Sequence, residues 1–83
     1  MLGRESRRHL LAIYGYARMV DQIGDAAAGD RLALLDVFEA DLDRIFAGGE
    51  PEHPVLQRLV PSVHELSLPR GPFERLIEAN RRD

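Results

Sequence analysis

The sequence predicts an all-α fold. Apolar residues recur at helical spacing in four separate stretches, and Gly and Pro fall between those stretches. No segment shows the alternation of β-branched and aromatic residues that marks a strand. At 83 residues the chain forms one domain at most, and a domain this small buries only about 60% of the surface its unfolded chain exposes. Marginal stability follows.

The first helix is expected from about Arg4 to Asp25, with Ala26 to Gly29 as the turn that ends it. A second begins near Asp30, whose short acidic side chain suits an N-cap. It sets Leu35, Phe38, Leu42, Ile45 and Phe46 on one face before Gly48 and Gly49 stop it. The third opens at His53-Pro54, where proline fits the first helical turn, and carries Leu56, Leu59, Val60, Val63 and Leu66 at helical spacing. Pro61 interrupts this third stretch. Its ring clashes with the carbonyl four residues back and offers that carbonyl no donor, so a kink or two short helices are expected. The fourth starts at Gly71-Pro72 and places Phe73, Leu76, Ile77 and Asn80 on one side. It runs out at Arg81, Arg82 and Asp83 without a capping residue. Short connections make successive helices antiparallel neighbours in a bundle.

Composition narrows the function. All eleven basic residues are arginine, and fourteen acids bring the net charge to −3. An acidic total with scattered arginines does not make the basic stripe that nucleic acid requires. The absence of cysteine excludes a disulfide framework and thiolate metal sites. Arg4, Arg7 and Arg8 precede an apolar run from Leu10 to Ala17, but Arg18 and Asp21 end it too soon for a signal peptide. A soluble, cytoplasmic chain is expected.

The chemistry lies on the first helix. With Tyr14 as zero and about 100° per residue, Arg18 falls at about 40°, Asp21 at about −20° and Asp25 at about 20°. Most of the remaining circumference is apolar or small, including Ile13, Ala17, Val20, Tyr16, Met19 and Ile23. Such a helix is expected to be buried nearly all round, with one charged stripe lining a cavity. The two aspartates lie about 6 Å apart along the axis and repel each other by a few tenths of a kcal/mol, so something should compensate. Arg18 reaches Asp21 at three residues' distance. Mg²⁺, which prefers hard oxygens and is typically shared between one or two carboxylates and substrate phosphates, also fits the pair. On spacing alone, a solvated acidic helix end with an Arg18 to Asp21 pair fits as well.

The string from Leu11 to Asp25, LAIYGYARMVDQIGD, resembles the first aspartate-rich segment of the squalene/phytoene synthase family. Further likeness runs through His53-Pro54-Val55-Leu56 and from Phe73 to Asn80, and covers about residues 7 to 83. These stretches look closest to the bacterial hopanoid-pathway branch. The resemblance implies a partial isoprenoid synthase type I fold over residues 1 to 83, with metal roles for Asp21 and Asp25. It implies substrate-diphosphate roles for Arg18 and Tyr14. The implied reaction is Mg²⁺-dependent departure of diphosphate from an isoprenoid of the farnesyl or presqualene diphosphate class. Gln22 departs from the pattern, since family members often carry a second acid there. The family's second aspartate-rich motif lies on a later helix that this chain does not contain, so the chain is expected to be inactive alone. The alternative is a non-catalytic helical interaction module. Homodimerisation or a complementing chain would cover its apolar faces, and peripheral membrane contact is compatible with them.

Other residues are expected to be structural. His9, His53 and His64 lack partners at ligand spacing and suit surface or capping roles. Asp36, Glu39, Asp41 and Asp43 are read as a solvated face opposite Phe38 and Leu42. Ser6, Ser62 and Ser67 have no neighbours that suggest a nucleophile.

Overall fold

Val20, Leu35, Leu42, Leu56, Leu59 and Ile77 are completely withdrawn from solvent, and the chain is arranged around them. The structure, a computed structural model, describes residues 3–82; Asp83 of the expected fourth-helix end lies outside them. It contains α1 (Arg4–Gly24), α2 (Ala28–Phe46), α3 (Pro54–Leu66) and α4 (Arg70–Arg81). No strand occurs among the described residues, so the all-α expectation holds.

α1 is the organising element. His9, Ala12, Tyr16, Val20 and Ile23 recur every three or four residues and form its buried face. Against that face pack α3, most extensively, and also α2 and α4. α2 contacts both α3 and α4, but the consecutive pair α3 and α4 do not pack on one another. The expectation that every successive pair would be neighbours therefore fails at the last connection. α4 directs its apolar side elsewhere: Phe73 meets Tyr16 of α1 edge-on at 5.1 Å and Phe46 of α2 at 6.3 Å. Gly24 lets α1 and α4 approach closely, since a Cβ there would run into the amide of Asn80.

Tyr16 joins three helices. Its ring lies 5.7 Å from Phe38, and its hydroxyl donates to the Phe73 carbonyl at 2.7 Å. Burial, and after it the charge of Glu39, pushes the phenol well above its usual range. The hydroxyl therefore stays protonated and remains a donor.

Two local expectations need correction. α2 begins at Ala28 with Ala27 at its N-cap, not at Asp30. The Ala27 carbonyl accepts from Arg31 at 2.7 Å, and Asp30 instead places its charge in the first turn, where the helix dipole favours it. α3 runs unbroken through Pro61, so two short helices do not form. Pro61 is exposed, and the carbonyl it deprives can turn to water. The helix ends instead at Ser67, in the left-handed conformation at φ 51°.

The acidic side of α2 is not simply solvated. Arg81 Nη2 donates to Glu39 at 2.6 Å and to Asp36 at 2.7 Å, and Arg81 also pairs with Glu78. Arg70 reaches Asp43 at 2.7 Å. Two arginines thus fasten the two ends of α4 to α2. Because the Arg81 and Glu39 side chains are only 20% and 19% exposed, Arg81→Gln is expected to cost about 1 kcal/mol, and most of that difference should vanish in 1 M salt. Urea midpoints of both proteins at low and high salt check this.

Asp41 departs furthest from the solvated reading, being only 6% exposed. Its carboxylate accepts from the backbone N–H of Glu52 at 2.8 Å and of His53 at 2.8 Å, and from Arg44 at 2.7 Å. That fixes the α2–α3 turn, after which His53 caps α3 by accepting from the Val55 N–H at 3.1 Å. The capping role expected among the histidines is therefore filled by His53.

Candidate functional site

The helical register that buries Val20 and Ile23 turns Tyr14, Arg18, Asp21 and Asp25 the opposite way. The four sit on one side of α1, as the spacing predicts, and all four are exposed; Tyr14 is 59% accessible. Leu10 and Leu11 on the same side are 54% and 62% accessible. α1 is therefore not buried nearly all round. Its three neighbours all pack against one side, and among the described residues none walls the other.

Within the stripe, Arg18 turns toward Tyr14. Its Nη1 donates to the Tyr14 hydroxyl at 3.4 Å, and the guanidinium carbon lies 5.8 Å from the ring centroid. The expected ion pair with Asp21 does not form among the described residues. The hydrogen bond to Tyr14, more than the charge of Asp21, pushes the guanidinium pKa up. Arg18 is a permanent cation.

Asp21 and Asp25 have no side-chain partner among the described residues. Asp25 is the C-cap of α1, with φ −86° and ψ −4°, so the backbone keeps it near the stripe. Both acids occupy the negative end of the helix dipole, and the last turn carries no basic residue. Two like charges one turn apart, unpaired and at the unfavourable end, form a locus of uncompensated negative potential. Their free oxygens fit a hard divalent cation, with the remaining positions left to water or phosphate. No group of three or more acids or histidines suited to a metal occurs among the described residues, so the chain offers two carboxylates and not a full cage.

The squalene/phytoene synthase family model matches residues 1–83. The chain belongs to the squalene/phytoene synthase family. It is 35% identical over 85 residues to the 15-cis-phytoene synthase of Synechococcus elongatus, an alignment covering all of this chain and 27% of that protein. It is also 35% identical over 79 residues to the phytoene synthase of Arthrospira platensis, covering 93% of this chain and 25% of that protein. The chain spans about a quarter of the length of these relatives. No solved structure shows significant similarity to it. Both names are those of phytoene synthases. No described helix of this family member is long and apolar enough to cross a membrane.

The structure also brings together residues that sequence reasoning passed over. His9, expected at the surface, is 7% exposed, and its Nδ1 lies 2.6 Å from Oγ of the fully buried Ser62 on α3. Fifty-three positions separate them. No local spacing signals such a pair, because only the packing of α1 on α3 creates it.

Proposed function

We propose that the chain supplies the first metal and diphosphate half-site of a synthase acting on isoprenoid diphosphates of the farnesyl or presqualene class. Asp21 and Asp25 hold Mg²⁺, and Arg18 and Tyr14 meet the substrate diphosphate. The observation that carries this reading is the pair of unpaired carboxylates at the negative end of α1, on the same side as Arg18 and Tyr14. Mg²⁺, when bound, neutralises the charge that develops on the departing diphosphate.

The chain's own residues bind and orient. Arg18 donates to anionic phosphate oxygens, and its contact with Tyr14 limits the rotamers from which it does so. The Tyr14 hydroxyl accepts from Arg18 and keeps a proton to donate to the substrate or to an ordered water. Leu10 and Leu11 extend the same side of α1 away from the charges and offer an apolar bed for a prenyl chain. A single open helix side cannot exclude water from a carbocation. The 83 residues are thus a partial domain, inactive without further helices.

The test is calorimetric titration of the chain with Mg²⁺, with and without inorganic diphosphate. Weak binding is expected, strengthened by diphosphate and lost in the Asp21→Asn/Asp25→Asn double variant. Equal affinity in that variant would overturn the assignment. One observation favours a second reading as an interaction module: Leu34 and Val37 on α2 are 47% and 70% exposed. On that reading sedimentation detects association without Mg²⁺ or diphosphate, unchanged by the double substitution.

A further inference from the structure

α1 carries polar residues outside the aspartate stripe, Arg8 and His9 among them. Near its N-terminal end, a cavity of about 540 Å³ opens between α1 and α3, lined among others by Arg8 and His9 from one helix and Arg58 and Ser62 from the other. Arg44, Arg70 and Arg81 each form ion pairs, whereas Arg8 and Arg58 form none among the described residues. In an acidic chain, two uncommitted guanidinium groups from different helices converge on one hollow.

The floor of the hollow is polar and held in place. Ser62 is 1% exposed, and the hydrogen-bond partner of its hydroxyl is His9 Nδ1. A buried hydroxyl that does not donate would leave its proton unsatisfied, so Ser62 donates to Nδ1 and the imidazole proton resides on Nε2. Nε2 has no partner among the described residues. The cavity therefore offers one imidazole N–H donor backed by two arginines. Beside them, Leu11 and Pro61 give it an apolar margin.

We propose that this cavity binds a phosphate dianion, through Arg8, Arg58 and the Nε2–H of His9. Phosphate matches the donor set because guanidinium groups bind its oxygens in a fork and an imidazole N–H adds a third donor. The apolar margin also accommodates a short alkyl chain esterified to the phosphate. His9 precedes Asp21 by about 18 Å along the helix axis, so the site is separate from the aspartate stripe and does not depend on the metal reading.

The His9 ring resonances of the full chain, assigned through His53→Gln and His64→Gln, report on binding in EDTA. Inorganic phosphate is expected to shift the His9 signals saturably in the millimolar range while the His64 signals stay in place. Arg8→Gln/Arg58→Gln should weaken binding by about tenfold or more with an unchanged circular dichroism spectrum. Hexyl phosphate distinguishes the sources: tighter binding than inorganic phosphate assigns the site to a phosphate-headed amphiphile, and equal binding assigns it to free phosphate. A non-saturable response at His9, parallel movement of His64, or undiminished binding by the double variant overturns the proposal.

Discussion

Val20→Asp is expected to leave the chain unfolded at room temperature, whereas Asp21→Asn, one residue on, should change the unfolding free energy by less than about 0.5 kcal/mol. Val20 is fully buried on the inward side of α1. A carboxylate placed there has no partner and must either protonate or drag water into the bundle, at a cost of several kcal/mol. Stabilities of whole domains are only about 5–15 kcal/mol, and a chain this small belongs at the low end. Asp21 is exposed and makes no side-chain contact among the described residues; relief of repulsion from Asp25 and from the helix dipole offsets the lost attraction to Arg18. Urea unfolding followed by circular dichroism reads both. A Val20→Asp protein that melts like the parent would mean that α1 is turned differently and that the stripe does not face outward.

The second large effect belongs to Asp41→Asn. Desolvation pushes the Asp41 carboxyl pKa up, but the N–H groups of Glu52 and His53 and the guanidinium of Arg44 outweigh it and hold the pKa below the usual carboxylate range. An asparagine with its oxygen at the Oδ2 position still accepts from the N–H groups of Glu52 and His53, but its NH₂ group then faces two donors, the Glu52 N–H and the Arg44 guanidinium, and the Arg44 ion pair disappears. A loss of about 2–3 kcal/mol is expected, which lowers the melting temperature by about 4–8 °C for each kcal/mol in a domain of this size. The pH dependence has a definite sign. A carboxyl held low in the folded state stabilises the fold above its unfolded pKa of about 3.9, and that contribution is lost as pH falls through the folded value. The gap between parent and variant should therefore be widest near neutrality and narrow in acid. A gap independent of pH would show that Asp41 acts through shape alone.

Much of this molecule could be read from local spacing, because a helix needs only its own residues to declare an apolar side. The three- and four-residue recurrence of Leu35, Phe38, Leu42 and Ile45 marks the inner face of α2, and those residues are buried. Gly48, at φ 88°, stops α2 as a residue free to adopt that conformation would. α2 starts two residues before Asp30 because an aspartate offers its charge to a helix from the first turn as readily as from the cap. Asp36, Glu39 and Asp43 look solvated on a helical wheel, since a wheel does not show that Arg70 and Arg81 arrive from another helix.

Four helices, their inner faces, and the alignment of Tyr14, Arg18, Asp21 and Asp25 on one side of α1 are written into the order of the residues, because helical geometry fixes which of them share a side. Packing alone turns this side outward, docks α4 on α1 and α2 instead of α3, and brings His9 to Ser62 across fifty-three residues. Each of these depends on which apolar faces find one another when the helices pack, and that is a property of the assembled core and not of any single segment.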